Sequence, residues 1–391
     1  MFTMKILFWI AFSLLFYTYL GYGLISFLGA RSKKKKRQAT IQDQIIDWPE
    51  VTILVAAYNE ASCIEAKIQN SLELDYPKHK IKYLFVTDGS TDQTPALIRQ
   101  FPDIRVLHSL ERKGKIAAVE RAMEFVKTPI TIFSDANAML NSSAAKEIAL
   151  QFLDPNVGAV AGEKRVESGQ NASSGGESLY WKYESQLKKW DADWGSVVGA
   201  AGELFAIRTE LFENLATDTL LDDFMQTLLI VKKGYRVAYA PKAFALEAGS
   251  LNLKEEMKRK IRISAGGFQS ILRLGNLVNP FEYGIVAIQY LSHRVFRWTV
   301  APVALLLMFF SNLILINKGF VVYDLLFGGQ ILFYGLALWG ALSTAGKSRI
   351  PGFFVPCYFT MMHWCAWLGA WRFFRNTQAV TWEKARRAEF K

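Results

Sequence analysis

Two kinds of apolar pattern divide this chain. Residues 6–29 are almost continuously apolar and aromatic, which is enough for the roughly 20 residues a helix needs to cross a bilayer. No small-residue cleavage site follows, and the basic run comes after the apolar stretch instead of before it. The pattern therefore predicts an uncleaved span with the N-terminus outside, not a signal peptide. From residue 50 to 250 the pattern changes. Short apolar runs at 51–57, 81–87 and 130–134 read as buried strands, with helical periodicity at 62–74, 93–101 and 115–126 between them. Strands alternating with helices predict an α/β domain whose parallel sheet is covered on both faces. In such sheets ligands bind at the carboxyl ends of the strands.

Beyond residue 250 the period is helical throughout. Residues 253–274 form a basic amphipathic pattern, and 281–298 a second one ending in His293, Arg294 and Arg297. Both suit a membrane interface. Residues 299–316 and 320–342 are apolar enough to span. A third stretch, 353–371, follows Pro351 and contains Pro356 and His363, the latter expected to pack instead of binding a metal. Three C-terminal spans would leave residues 372–391 outside, with six Lys/Arg against two Glu. Because positive charge favours the cytoplasmic side, the last apolar stretch is expected to be re-entrant or interfacial. The predicted organisation is a transmembrane helix over 1–30, a basic linker over 31–49 and an α/β domain over 50–250. Interface helices over 251–298, spanning or re-entrant helices over 299–375 and a basic tail over 376–391 complete it. Residues 168–178 read as a flexible loop; the Asn171 sequon inside it lies on the cytoplasmic side and is not expected to be modified. Tyr180, Trp181, Trp190 and Trp194 follow at helical spacing, either to stack on sugar rings and sit at a membrane surface or simply to pack.

Composition agrees with a membrane protein: 51% of the 391 residues are hydrophobic, and the net charge is +11. Arg31, Lys33, Lys34, Lys35, Lys36 and Arg37 stand directly after the first apolar stretch, where a basic cluster marks a cytoplasmic flank and attracts anionic lipid. The same run does not predict a nucleic-acid partner. Three cysteines without metal-like spacing give no disulfide framework, and four histidines give no multi-histidine metal centre.

Candidate chemistry clusters at the predicted strand ends. Ala57, Tyr58, Asn59 and Glu60 close the first strand, where small residues and a polar turn let a flat nucleobase approach the backbone. Asp88 closes the second and can accept the ring N–H of a base; the alternative is an Asx-turn or helix cap, the reading preferred for Asp92. Lys115, after Arg112, Lys113 and Gly114, begins a helix where charge and backbone N–H groups can hold a diphosphate; a solvated charge run is the alternative for Arg112 and Lys113. Asp135 closes the third strand and, with Asn137, offers hard oxygen ligands to a divalent cation that also binds diphosphate oxygens and water. Gly199 and Gly202 permit close approach of an acceptor chain, with Glu203 beside them, although a tight turn into a strand fits as well. Asp222 and Asp223 open a helix pattern; adjacent carboxylates cannot point the same way, so Asp223 is expected to be a general base and Asp222 its support, against helix capping alone. Thirty-five residues separate Asp223 from Arg259, which shares one helical face with Arg262. That pair can clamp a diphosphate or contact anionic lipid.

This ordered set resembles that of processive-type family 2 glycosyltransferases, the family of hyaluronan, cellulose, chitin and poly-N-acetylglucosamine synthases. Over residues 50–270, Asp88 matches its uridine-reading acid, Asp135 the first acid of its metal motif, Asp223 its base, and Arg259 and Arg262 its terminal motif. Thr381-Trp382-Glu383-Lys384 is similar to the C-terminus of bacterial members. Two positions depart: Asn137 replaces the second Asp of the metal motif, and Ile263 replaces a Trp associated with the acceptor sugar. The resemblance implies a Rossmann-like GT-A fold between transmembrane helices, a UDP-sugar donor, Mg2+ or Mn2+, and inversion to a β-linkage. The expected protein is a multi-pass enzyme of the bacterial inner membrane with its catalytic domain in the cytoplasm. It would extend a polysaccharide or add one sugar to a lipid-linked acceptor. Membrane lipids are expected partners, and the small number of spans leaves room for an accessory export subunit. A reading of a different class is a non-catalytic scaffold or carbohydrate-binding protein.

Overall fold

The computed structural model describes residues 1–37, 47–166, 172–250, 252–343 and 351–380. Asn171 of the sequon, residues 38–46 of the 31–49 linker and the motif at 381–384 lie outside the described residues.

Eight strands form one sheet: β1 (Val51–Ala57), β2 (Ile81–Asp88), β3 (Ile104–Ser109), β4 (Ile130–Asp135), β5 (Met139–Leu140), β6 (Val157–Val166), β7 (Leu204–Arg208) and β8 (Arg236–Glu247). Their order is β3-β2-β1-β4-β7-β6-β8-β5. The β3-β2-β1-β4 half is parallel, as the alternation of strands and helices predicted. The other half is mixed: β7 runs antiparallel to both β4 and β6, and β5 antiparallel to β8. The wholly parallel sheet expected from the sequence is thereby corrected. Between β6 and β7 the chain runs through the Ala172–Trp194 helix, which packs on the N-terminal helix, and β7 returns antiparallel to β6. Antiparallel pairing also carries a consequence for the site, because it puts the start of β7 at the same edge as the end of β4 (Ser134 opposite Leu204).

Alternate residues of each strand feed two cores, one on each face. Ile53, Val55 and Phe85 pack with Ile64 and Ile68 of the Ile64–Leu72 helix. Leu54, Leu84 and Phe133 pack with Ala118 and Ala122 of the Lys115–Met123 helix and with Leu228 of the Asp222–Lys232 helix. Each such side chain, fully buried, contributes roughly 1.5–3 kcal/mol. With both faces of its strands sealed this way, the sheet is exposed only at its edges.

Two described helices are long and apolar enough to cross a membrane, Phe2–Lys33 and Val321–Leu342. A third candidate is a bent pair, Ile285–Trp298 with Val300–Leu315, broken by 53°. The 281–298 segment is therefore no uninterrupted surface helix. It divides into Pro280–Tyr283, Ile285–Tyr290, a π-turn at Leu291–Val295 and Phe296–Trp298. The Pro351–Phe374 helix lies along the amphipathic Leu253–Arg273 helix, with Phe354, Tyr358, Met361 and Cys365 buried against Ile261. Helical structure also begins at Ala172, inside the predicted 168–178 loop, and runs to Trp194; residues 167–171 lie outside the described residues. Packing overrides the Ser/Gly composition there. Trp190 meets Phe27 edge-on at 5.4 Å, and Trp194 lies over Gly29, where no Cβ is in the way. These two tryptophans pack the sheet domain against the N-terminal helix.

Candidate active site

The expected residues converge at the carboxyl edge of β1, β2 and β4, around a cavity of about 1950 Å³. In-register pairing places Ala57 beside Thr87 and Ala56 beside Asp135, so the three strand ends are level. The turn after β1 is tied to the turn after β2. Asn59, in the left-handed region at φ 53°, accepts the Thr91 N–H at 2.8 Å, and its own N–H donates to Ser90 Oγ at 3.2 Å. Asp92 accepts the Thr94 and Ala61 N–H groups at 2.9 and 3.1 Å, a turn and capping role. Arg112 lies 3.8 Å over the Tyr58 ring, and the stacked pair lines the cavity. Gly89, at φ 65°, admits that arrangement, since a Cβ there would stand 2.5 Å from the Arg112 side chain.

Asp88, the last residue of β2, is buried. Its Oδ2 accepts the N–H groups of Lys113 and Gly114 at 2.9 and 2.6 Å, so the carboxylate also fixes the loop that leads to Lys115. Its Oδ1 is buried without a hydrogen-bond partner, with the nearest cation, Arg121 Nη1, 3.8 Å away. An acceptor left without a donor in a buried place is costly.

Lys115 is the centre of the acidic group. Its Nζ lies 3.0 Å from Asp135 Oδ1 and 3.6 Å from Asp222 Oδ2. Burial opposes its charge, but Asp135, Asp222 and Asp223 together hold the ammonium above its ordinary range. Asp223 behaves in the opposite way: burial and then the Asp222 charge push its carboxyl up to about 7, with Lys115 opposing. Its Oδ1 accepts the Phe224 N–H at 2.8 Å, and Oδ2 is 3.3 Å from where a Gly202 side chain would begin. Gly199, at φ 92°, packs its α-carbon face on the Phe224 ring. The two carboxylates thus diverge in environment as adjacent residues on a helix start should.

Arg262 and Arg259 separate in role. Arg262 lines the cavity, and among the described residues no carboxylate lies within ion-pair distance of it; its Nε is buried without an acceptor. Burial lowers its pKa against the pull of Asp222, Asp223 and Asp135. Arg259 instead faces Glu256 at 3.4 Å and Glu203 at 3.9 Å. Glu203 is bound to Lys164, which also holds Glu247 at 2.5 Å. Burial alone would raise Glu203, but Lys164 and Arg259 keep it well below the carboxylate range.

Several polar residues of this region escaped the sequence reading. Lys67 is fully buried and donates to Ser134 Oγ at 2.7 Å and to the Ala138 carbonyl at 2.5 Å, bracing the loop that carries Asp135 and Asn137. Burial pushes its ammonium down to about 7. A signal existed, since Lys67 stands on the apolar face of its helix with Ile64, Ile68 and Ser71. His293, Arg294 and Arg297 do not face an interface. His293 is buried between Asp191 (2.6 Å) and Glu184 (3.1 Å), and both arginines reach Glu184 at 2.8 Å. Tyr22 and Ser26 of the N-terminal helix donate to Asp191, so the network ties that helix to the sheet domain. His363 packs as expected, against Tyr19 Oη at 2.9 Å and the Phe359 carbonyl at 2.8 Å.

A mixed sheet of this order, with acids at its carboxyl edge and apolar helices on either side, is the GT-A arrangement of nucleotide-sugar enzymes. The model of the family "Glycosyltransferase like family 2" matches residues 49–266, and the chain belongs to that family. It is 26% identical over 233 residues to the poly-beta-1,6-N-acetyl-D-glucosamine synthase of Staphylococcus aureus, covering 57% of this chain and 56% of that protein. It is 24% identical over 247 residues to the probable glycosyltransferase YdaM of Bacillus subtilis, covering 59% and 58%. The chain thus spans little more than half the length of the curated relatives it matches. The solved mannosyltransferase PcManGT of Pyrobaculum calidifontis, in complex with GDP-Man and Mn2+, has the same fold at a TM-score of 0.69 and 24% identity, over 95% of this chain and all of that one.

Proposed function

We propose that this protein is an inverting membrane glycosyltransferase that moves a sugar from a nucleoside-diphosphate donor, a UDP-sugar, to an acceptor hydroxyl in a β-linkage. The observation that carries the reading is geometric: Lys115 bridges Asp135 and Asp222 at 3.0 and 3.6 Å in a cavity also lined by Asp223, Arg262 and the stacked Tyr58–Arg112 pair. The base packs against the stacked Tyr58–Arg112 pair at the cavity wall, and its ring N–H meets Asp88 Oδ1. The diphosphate lies toward Lys115 and Arg262. Asp223 takes the proton of the acceptor hydroxyl while that oxygen forms a bond to the anomeric carbon. The bond from that carbon to the diphosphate oxygen breaks on the opposite face, and the electron pair leaves with the diphosphate. Lys115 and Arg262 stabilise that developing charge in a place where little water screens it.

A divalent cation, Mg2+ or Mn2+, fits one part of this site. Among the described residues there is no group of three metal-ligating His, Cys, Asp or Glu side chains. Asp135 with Asn137 suits a cation that arrives with the donor and keeps diphosphate and water as its other ligands. Such a cation would add charge neutralisation to what Lys115 and Arg262 supply.

The acceptor reading has two forms. The family resemblance supports a growing polysaccharide made at the bacterial inner membrane, with the sheet domain in the cytoplasm. A lipid-linked acceptor is favoured by the cavity itself, whose lining continues to Tyr19, Phe359 and Met362 on the helices beside the sheet domain. Protein reconstituted in lipid with UDP-sugars and GDP-sugars tests both. A UDP-sugar should be consumed, EDTA should stop turnover, and Mg2+ or Mn2+ should restore it. A product ladder identifies polymerisation, and one added sugar identifies single transfer. Donor binding without turnover of any donor would leave a scaffold and refute the enzyme.

A further inference from the structure

The cavity does not end at the aspartates. It continues past Glu203 to Trp181, Lys188 and Lys260 and then to Tyr19, Phe359 and Met362. Three ammonium groups surround the Trp181 indole: Lys164 at 5.1 Å from the ring centroid, Lys260 at 5.4 Å and Lys188 at 5.6 Å. Like charges gathered in a buried space need counter-charges. Lys164 has Glu203 and Glu247, and Lys260 has Glu256 at 3.5 Å. Lys188 is only 2% exposed, and among the described residues no carboxylate lies in ion-pair range of it; Glu184, Glu163 and Glu203 act on it only from further away. Burial pushes its ammonium below the usual range. Other donors along the same cavity are also unused: the Trp181 indole N–H, and Nε and Nη2 of Arg297, whose Nη1 is on Glu184. A buried ammonium with an aromatic face and no carboxylate in ion-pair contact leaves room for an anion beside it.

Resting on the transferase reading above, we infer that this chamber holds the phosphate of a lipid-linked acceptor. Lys188 is the principal contact, and the apolar chain leaves along Tyr19, Phe359 and Met362. A neutral glycan gives Lys188 hydroxyl acceptors but no anion. An anionic glycan would give it one, but would have no use for the apolar exit. The phosphate anchors the acceptor while its hydroxyl extends toward Asp223.

The test uses full-length protein in nanodiscs of neutral lipid, with four probes: dodecyl phosphate, dodecanol, inorganic phosphate and a glucuronate oligosaccharide. A charge-assisted contact is worth about 1.5–3 kcal/mol, so dodecyl phosphate should bind roughly tenfold or more tightly than dodecanol. It should also exceed inorganic phosphate, which lacks the chain. Lys188→Met should remove the advantage over dodecanol, and Lys188→Arg should retain most of it. Thermal unfolding confirms that each variant is folded. Equal binding of dodecyl phosphate and dodecanol would overturn the inference. So would tighter binding of the glucuronate, or an unchanged preference in Lys188→Met. UDP binding to the wild type is measured alongside: its absence would refute the transferase reading separately, whatever the lipid probes show.

Discussion

Asp223→Asn should make the protein inactive and more stable at once. The carboxyl is raised from 3.8 to about 7 by burial and by the Asp222 charge. The folded state therefore prefers its neutral form by about 3 pH units, and at 1.36 kcal/mol per unit the ionised form costs about 4 kcal/mol of stability at pH 8. The sign is fixed by linkage. The folded pKa lies above the unfolded one, so the favourable contribution is complete below the unfolded value and is lost as pH rises through about 7. Asparagine is neutral at every pH and nearly the same shape, and its carbonyl can still accept the Phe224 N–H now bound at 2.8 Å. Thermal unfolding of the two proteins in one detergent should show the variant several degrees higher at pH 8, with the gap closing near pH 4. Sugar transfer should fall by about 10²–10⁴, the range a general base supplies. A variant less stable than wild type at pH 8, or a stability gain that does not change with pH, would refute the account of a buried carboxylate held against its charge.

Three further outcomes follow from the same geometry. The wild-type kcat/KM should rise about tenfold per pH unit below 7 and level off above it, because Asp223 must be ionised to take a proton; a flat profile from pH 5 to 8 would exclude it as the base. Arg262→Ala should lower kcat by about 10²-fold through lost stabilisation of the leaving diphosphate, whereas Arg262→Lys should recover part of it; steady-state kinetics that show a change in acceptor KM alone would instead place Arg262 at the acceptor. Gly199→Ala should destabilise the protein by more than about 1 kcal/mol, since φ is 92° and the Phe224 ring occupies the space a side chain needs; an unchanged melting temperature would contradict that packing.

Much of the site could be read along the chain because its parts obey local rules. Asp88 and Asp135 end apolar strands, and in an α/β sheet such positions face the ligand edge whatever the rest of the fold does. Asp222 and Asp223 open an amphipathic helix. Lys115 was legible as a helix-start lysine, but not as the hub of three aspartates, because two of those lie 107 and 108 residues further on (222 − 115 and 223 − 115). Glu203 looked like an acceptor contact, and the structure spends its carboxylate on Lys164 and Arg259. His293, Arg294 and Arg297 carried the pattern of an interfacial helix. Their partners, Glu184 and Asp191, are 102 to 113 residues away in sequence, and no period reports such a distance.

The sequence by itself determined the alternation of strands and helices, the apolar segments beside them and the order of acids at the strand ends. Each of these rests on a repeat of two or 3.6 residues, or on one run of apolar side chains. Tertiary structure alone decided which charges neutralise one another. It turned β7 antiparallel and so brought Gly202 beside Asp223, buried His293 against the N-terminal helix, and left Lys188 beside Trp181 with no carboxylate in ion-pair range among the described residues. The physical reason is the same throughout. Periodicity fixes which face of an element is buried, whereas the partner a buried charge finds depends on elements distant in the chain.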